Sequence, residues 1–190
     1  MLRFSFLDKT FCRIVILFIF ISMGGFSFFL FEKNSSHPST CQVSREIKTV
    51  RGHSMEPLFL DGTEVTALMG YFECKKPSRN DIALVSYGGN KFPLIKRIRA
   101  LPGDTYEFFE REQERFSLVI NGEILTNSAG KSYNFLRSDI QEMVRYGSAY
   151  GYVIPENRYL ILGENSAGSM DSTQFGFLDR DTLIAKVMKK

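Results

Sequence analysis

The chain has 190 residues, with 24 Lys and Arg against 21 Asp and Glu, and a formal net charge of +3. This length accommodates one domain and a small additional segment. Arg3, Lys9 and Arg13 against Asp8 place two of the three net charges before residue 32, and the nearly neutral remainder argues against nucleic acid as the main partner. Three cysteines without a CxxC pair, together with only two histidines, exclude a four-ligand structural zinc site.

An apolar segment lies close to the N-terminus. Ile14 to Phe31 contain no charged residue, and a helix of this length, rising ~1.5 Å per residue, can cross a hydrocarbon core ~30 Å thick. The alternative is a cleavable signal peptide, whose apolar region is normally shorter, ~7–15 residues, and is followed by a small-residue cleavage site that is missing here. The sequence therefore predicts a cytoplasmic N-terminus over residues 1–9 and a retained transmembrane anchor over residues 10–31.

The charge distribution predicts the orientation of this anchor. More positive residues precede the apolar segment than follow it closely, which places the rest of the chain on the outer side of the membrane. That side is oxidising in bacteria, so a disulfide between Cys41 and Cys74 would persist there if the two cysteines pair.

The remaining chain is predicted to be mainly β. Residues 32–46 are polar and rich in turn residues, which predicts a stalk, and residues 47–190 form one compact β domain. Asn121-Gly122 predicts a two-residue hairpin, and only Tyr133–Gly147 has a helical pattern. The predicted strands, from their alternating or β-branched runs, are Ile47–Arg51, Thr63–Leu68, Ile82–Tyr87, Leu94–Ala100, Tyr106–Glu110, Ser117–Ile120, Glu123–Thr126, Tyr152–Ile154, Tyr159–Leu162 and Leu183–Val187.

The segment GHSMEPLFLDG, from Gly52 to Gly62, contains a candidate nucleophile, Ser54. A serine hydroxyl needs an adjacent base. If the segment is extended, His53 and Ser54 point to opposite faces, and His37 lies in the predicted stalk. A serine–histidine–aspartate arrangement therefore lacks a suitable histidine, and the remaining candidate is a lysine made neutral by burial.

The segment PLIKRIRALPGD supplies such a lysine. On an extended strand Lys96 shares one face with Leu94, Ile98 and Ala100, all of which are apolar. A neutral amine suits this environment better than an ammonium group. The alternative is a lysine whose amine reaches solvent from the edge of a sheet.

A third segment, GENSAGSMDSTQFG from Gly163 to Gly176, gathers small hydroxyl residues around Asp171. An ordinary loop uses the same residue types. The combination of a serine, a lysine with apolar neighbours and this loop is more specific than any one of the three.

In this order, the three segments resemble the nucleophile box, the lysine box and the last box of type I signal peptidases, which are membrane-anchored serine–lysine endopeptidases. The resemblance covers most of residues 47–190. The first box alone is also found in soluble, self-cleaving repressor-type peptidases, but these lack the Pro-Gly-Asp and Gly-acid-Asn features of the other two segments, and the apolar anchor argues against them.

The resemblance implies a role for each matching residue. Ser54 corresponds to the nucleophile, Lys96 to the general base, Ser169 to the hydroxyl that hydrogen-bonds the lysine, and Asp171 to the acid that braces the loop. The backbone N–H of Ser54 would help to stabilise the oxyanion. The residues that match the substrate pocket for small side chains are Val50, Met55, Leu94 and Ile95.

The sequence also departs from the family pattern. Gly52 stands where many members carry a second oxyanion hydroxyl. Glu164 replaces the usual aspartate, and Ser166 and Thr173 each replace an arginine. These departures leave the serine and lysine in place, but they weaken the expectation for the last loop.

The function that the resemblance implies is removal of signal peptides from exported preproteins, with cleavage after small residues at Ala-x-Ala-like sites. The protein would sit in the bacterial cytoplasmic membrane with its catalytic domain outside, contact the lipid bilayer, and need no metal or organic cofactor. Two alternatives stay open: a processing peptidase dedicated to one client such as a pilin, and a non-catalytic, membrane-tethered domain that binds peptides by strand addition.

Overall fold

The computed structural model describes residues 41–88 and 92–190. The predicted cytoplasmic N-terminus, the transmembrane anchor and most of the predicted stalk lie outside these residues. Within the described ranges, no helix is long and apolar enough to cross a membrane.

The described chain is mainly β. Its three helices are short: α1 is Tyr71–Cys74, α2 is Gln141–Tyr150 and α3 is Ser172–Phe175. Its strands, numbered along the chain, are β1 Ser44–Thr49, β2 Glu64–Met69, β3 Ile82–Val85, β4 Leu94–Ala100, β5 Tyr106–Glu110, β6 Arg115–Ile120, β7 Glu123–Ile124, β8 Phe135–Leu136, β9 Arg158–Leu162, β10 Leu178–Asp179 and β11 Leu183–Lys189.

Two antiparallel sheets organise these strands. The larger has seven strands in the order β1-β2-β11-β3-β4-β9-β10, and the smaller contains β5, β6, β7 and β8. In the smaller sheet Asn121 and Gly122 have φ values of +51° and +82°, and Ile120 pairs with Glu123 across the turn. The predicted hairpin is therefore confirmed, because these two residue types tolerate positive φ.

One apolar cluster fixes the nucleophile segment to the large sheet. Val50 and Met55, which flank Ser54, are 2% and 1% exposed, and both pack with Phe59 against residues of β2, β3 and β11. Each such side chain contributes roughly 1.5–3 kcal/mol when buried. The turn that carries Ser54 is thus anchored on both sides by hydrophobic packing.

Most predicted strands are present, with changed ends. β4 and β5 have the predicted bounds, whereas β1 begins at Ser44, inside the predicted stalk, and ends at Thr49. The prediction of a strand at Tyr152–Ile154 is wrong, since there only an isolated bridge joins Val153 to Thr105.

The predicted helix begins too early. Tyr133–Leu136 contain β8 rather than helix, and a 3-10 turn at Arg137–Ile140 leads into α2. Phe135 pairs with Phe116 of β6, so burial of this aromatic pair overrides the local helical pattern.

A disulfide joins Cys41, just before β1, to Cys74 at the end of α1. The Cα atoms are 5.3 Å apart and the bond closes a loop with a sequence separation of 33. The bond ties the beginning of the described chain to the helix that follows β2, at the open end of the β1–β2 hairpin where Ser44 pairs with Met69.

Candidate active site

The nucleophile segment is a turn, not the extended segment that the sequence analysis assumed. Gly52 has φ +81°, Glu56 N–H donates to His53 O, and Phe59 N–H donates to Met55 O. Pro57 follows a cis peptide bond. The compact turn places Ser54 next to the buried Met55 and leaves the serine half-buried.

His53 is separated from Ser54 for a different reason than predicted. Its Nδ1 lies 2.8 Å from Glu56 Oε1 and the side chain is 72% exposed. The hydrogen bond and the charge of Glu56 raise the pKa of His53. The ring is therefore engaged with a carboxylate in solvent rather than with the serine hydroxyl.

Lys96 reaches Ser54 from β4. Its Nζ lies 2.8 Å from Ser54 Oγ, and the residue is only 2% exposed. Burial lowers the pKa of Lys96 from its usual 10.5 to about 8, while the charge of Asp171 opposes this shift. No carboxylate forms a salt bridge with Lys96 within the described ranges, so a neutral amine beside the hydroxyl is accessible near physiological pH.

The predicted apolar face of β4 is interrupted by a bulge. Ile98 and Leu94 pack in one cluster, whereas Ala100 packs in another, against the smaller sheet. The register between β4 and β9 shifts between Ile98 and Ala100, because an extra residue at a bulge changes the direction of the side chains that follow. The predicted alternation of side chains between the two faces of β4 therefore holds only as far as Ile98.

Asp171 organises the loop after β9. The residue is 2% exposed; its Oδ2 accepts from Gly163 N–H at 3.0 Å, and its Oδ1 accepts from the backbone and the hydroxyl of Thr173 at 3.1 and 2.8 Å. Thr173, which stands where the family pattern has an arginine, thus satisfies the carboxylate with a hydroxyl group instead.

Ser169 does not make the predicted hydrogen bond to Lys96. Its Oγ is buried and has no hydrogen-bond partner in the described part of the chain. A Cβ atom placed on Gly163 would lie 2.3 Å from this oxygen and 2.5 Å from Ser54 O. Glycine at 163 is therefore required for the close approach of Ser169 to the nucleophile turn.

Glu164 is a site residue whose contacts the sequence analysis did not predict. Its backbone N–H and that of Asn165 both donate to Ser54 O, at 2.8 and 3.1 Å. Its carboxylate is fully buried, accepts from Arg97 Nε, and accepts from Ser128 N–H at 2.7 Å. Glu164 thus connects the backbone carbonyl of Ser54 to Arg97, the residue that follows Lys96.

Arg99 extends this network to the smaller sheet. The residue is 6% exposed, its guanidinium donates to Asn80 Oδ1 at 2.8 Å and to Thr126 O at 2.5 Å, and it lies over the ring of Tyr133. Tyr133 in turn donates its hydroxyl to Gly163 O at 2.8 Å. The sequence contained a signal for these contacts, because two arginines on a buried strand require polar partners.

A cleft of about 760 Å³ opens beside the serine and the lysine. Its floor is apolar and comes from the three neighbouring strands that lie between β1 and β4, with Met69 of β2, Ile184 of β11 and Leu84 of β3. The segments 48–51 and 92–96 form its two sides, since β1 and β4 lie on either side of those strands. All four residues predicted for the substrate pocket line this cleft: Val50, Met55, Leu94 and Ile95.

Comparisons with known proteins agree with this geometry. The family model described as "Signal peptidase, peptidase S26" matches residues 6–189. Signal peptidase IB of Staphylococcus aureus (strain N315) is 28% identical over 147 residues, which cover 73% of each chain. Signal peptidase I of Aquifex aeolicus (strain VF5) is 26% identical over 186 residues, covering 73% of this chain and 72% of the relative.

Solved structures are also similar to this chain, among them a signal peptidase I. The crystal structure of a signal peptidase I from Enterococcus faecalis V583 has a TM-score of 0.43 and 26% sequence identity, and the match covers 60% of this chain and 98% of that chain. The family model covers nearly the whole sequence, and on that ground the chain belongs to the signal peptidase family, peptidase S26.

Proposed function

We propose that this protein is an endopeptidase that removes signal peptides from exported preproteins, cutting after small residues, with Ser54 as the nucleophile and neutral Lys96 as the general base. The observation that carries the proposal is the 2.8 Å distance between Lys96 Nζ and Ser54 Oγ in a buried, mainly apolar setting. A non-catalytic peptide-binding domain has no need for a buried amine beside a serine hydroxyl, because burial of that amine is unfavourable.

The reaction begins with acylation. Lys96 Nζ takes the proton of Ser54 Oγ while the oxygen attacks the scissile carbonyl carbon, and the carbonyl oxygen becomes an oxyanion. The lysine ammonium then gives its proton to the nitrogen of the leaving peptide, the C–N bond breaks, and an ester links the N-terminal fragment to Ser54. Water, deprotonated by the same amine, hydrolyses this ester and restores the serine.

The backbone of the nucleophile turn provides the donor for the oxyanion. The N–H of Ser54 has no acceptor within the described residues, so it is free for this purpose, whereas the N–H of Gly52 already donates to Asp61 Oδ1 at 2.8 Å. Two N–H groups hold Ser54 O from behind. These bonds fix the Ser54–Met55 peptide unit, which adjoins the unit that carries the Ser54 N–H. The donor therefore lies in a turn that is ordered before the substrate arrives, which is the condition for effective electrostatic stabilisation.

The cleft fits an extended peptide with small side chains. Its floor is closed by methionine, leucine and isoleucine side chains. Ala-x-Ala-like sites present a small side chain at every second position, and alternate positions of an extended chain face the same side. Preproteins with such sites are therefore the proposed partners.

Attachment to the bacterial cytoplasmic membrane, with the catalytic domain on the outer side, is part of the same proposal. The apolar segment Ile14–Phe31 is long enough to span a bilayer. The disulfide between Cys41 and Cys74 supports placement of the domain outside the cytoplasm, since such bonds persist in oxidising compartments.

Incubation of the purified full-length protein with a panel of preproteins tests the proposal. New N-termini, identified by sequencing, are expected directly after small residues, and the Ser54→Ala protein is the matched control. If the wild-type protein yields the same fragments as Ser54→Ala, or none, the assignment of peptidase activity is wrong. Cleavage of a single preprotein in the panel would favour a dedicated client over general processing.

A further inference from the structure

The charges around the substrate cleft are all of one sign. Among its described lining residues are Lys48 and Arg51 on the β1 side, and none of these lining residues is an Asp or a Glu. Lys96 belongs to the catalytic pair and is buried. Lys48 and Arg51, which we call the basic side of the cleft, are partly or fully exposed.

The two residues differ in how far their charge is compensated. Lys48 Nζ lies 2.7 Å from Glu46 Oε2, so a carboxylate of the same strand already neutralises it. Arg51 forms no salt bridge or side-chain hydrogen bond within the described ranges. The carboxylates nearest in sequence have other partners: Glu56 contacts His53, and Asp61 accepts from Gly52 N–H.

The position of Arg51 limits which part of a substrate it can contact. It precedes Ser54 by three residues, a separation of at most ~10 Å along the chain. A peptide in the cleft has its scissile carbonyl at Ser54. The guanidinium therefore faces substrate side chains within about three residues of the scissile bond, and it is not part of the apolar floor that receives the small side chains.

We infer that this enzyme prefers substrates that carry an aspartate or glutamate within about three residues of the cleavage site, with Arg51 as the specificity-determining residue. The inference rests on the proposed function and narrows its substrate class. A carboxylate is the complement of an uncompensated guanidinium, and opposite charges across a binding surface favour one partner over others. An anionic lipid headgroup is the competing ligand for the same charge.

Matched peptides test the inference. Internally quenched peptides with alanine at the first and third positions before the cut would differ only in Glu, Gln or Lys at one other position within three residues. Full-length enzyme in detergent micelles is expected to cleave the best Glu peptide with a kcat/KM about fivefold above its Gln counterpart, the upper range for an exposed ion pair. The difference should lie in KM and shrink at high salt.

Variants assign the preference to one side chain. Arg51→Glu is expected to reverse it, so that the Lys peptide becomes the better substrate, whereas Arg45→Glu, an exposed change on β1 outside the cleft lining, should keep the wild-type ratio. If the wild type cleaves the Glu and Gln peptides with nearly equal kcat/KM at every position, the inference is wrong. It is also wrong if Arg51→Glu leaves the ratio unchanged.

Two further measurements separate this inference from its alternatives. Binding of the same peptide sequences, labelled with a fluorophore but no quencher, to the inactive Ser54→Ala protein can be followed by fluorescence anisotropy. It is expected to show the same fivefold preference even if no peptide is cleaved. Absence of cleavage would then count against the proposed function alone. If Arg51→Glu weakens binding to phosphatidylglycerol vesicles but leaves the peptide ratio unchanged, the guanidinium serves the lipid surface and the inference is wrong.

Discussion

Lys96 and its neighbours Arg97 and Arg99 lie on the same strand, yet the protein surrounds them differently. Arg97 contacts a buried carboxylate, and Arg99 donates to a side-chain amide and a carbonyl. Within residues 41–88 and 92–190, the Lys96 amine hydrogen-bonds only to the hydroxyl of Ser54. The arginines thus hold loops together through these contacts, while the lysine, with its pKa lowered to about 8, is able to lose its proton.

The largest expected effect comes from removing either member of the pair around Lys96. Ser54→Ala and Lys96→Met should each lower kcat/KM by at least ~10³-fold, because a serine without an adjacent base is a poor nucleophile. His53→Ala is the matched control and should stay within about threefold of the wild type, since His53 contacts Glu56 in solvent. An equal loss in His53→Ala would contradict the serine–lysine assignment.

The pH dependence of kcat/KM should follow the neutral form of Lys96. With a pKa of about 8, roughly 1% of the enzyme has a neutral amine at pH 6 and about half at pH 8, so activity should rise about fiftyfold between these values. Initial rates at low substrate concentration measure this. A profile that is flat from pH 6 to pH 8 would show that Lys96 is not the base.

A substitution in the network around Arg97 should mainly affect the stability of the protein. Glu164→Gln removes the fully buried carboxylate that pairs with the largely buried Arg97, which is expected to lower the free energy of unfolding by about 3 kcal/mol. Because Glu164 also lies beside the nucleophile turn, kcat should fall about tenfold with little change in KM. Denaturant unfolding and steady-state kinetics measure both effects, with the exposed Glu156→Gln as control.

Lys96→Met should raise the free energy of unfolding, whereas Glu164→Gln should lower it. Lowering the pKa of a buried lysine from 10.5 to about 8 corresponds to about 3 kcal/mol, the upper limit of the gain expected at pH 7. The penalty is complete below pH 8 and disappears above pH 10.5, because between these values the unfolded chain binds more protons than the folded one. The stability of the wild type should therefore rise with pH in this window, and that of Lys96→Met should not.

If Lys96→Met is less stable than the wild type at pH 7, packing around the lysine outweighs its desolvation. The cost of burying the Lys96 ammonium group would then not explain why Lys96 differs from Arg97 and Arg99. The comparison of unfolding curves at pH 7 and pH 10.5 distinguishes the two cases, since only the desolvation cost depends on the protonation of the amine.

The smallest expected effect concerns Gly52. Because Gly52 stands where the family pattern often has a second oxyanion hydroxyl, Gly52→Ser would place a hydroxyl there if the backbone permits a side chain. There is space, as no atom lies within 4 Å of an added Cβ, but φ is +81°, and this conformation costs a non-glycine residue about 1–2 kcal/mol. We therefore expect lower stability and no gain in kcat; a higher kcat would show that the hydroxyl outweighs the strain.

The parts of the fold that could be predicted have strong local patterns. β4 and β5 have their predicted bounds, and the Asn121-Gly122 turn follows from residues that accept positive φ. β8, β10, α1 and α3 are only two to four residues long, and tertiary pairing decides them rather than local preference. No periodic pattern is detectable over so few residues.

The candidate site, too, could be predicted from the sequence only in part. Ser54 and Lys96 were identified as a pair, and they lie within hydrogen-bond distance. Glu164 was noted only as a replacement for aspartate, because nothing in the sequence shows that its carboxylate reaches both Arg97 and the backbone of Ser128. Long-range polar contacts of this kind depend on how loops from two sheets meet, and one sequence does not contain that information.

The disulfide between Cys41 and Cys74 has a mechanical consequence. Among the described strands β1 lies at the edge of the large sheet and pairs with β2 alone, and it leads directly into the turn that carries Ser54. Tension applied to the residues before Cys41 would otherwise peel β1 from β2 one hydrogen bond at a time. The covalent bond transfers that tension to Cys74 at the end of α1, so the wall of the substrate cleft is shielded from forces that arrive through the N-terminal segment.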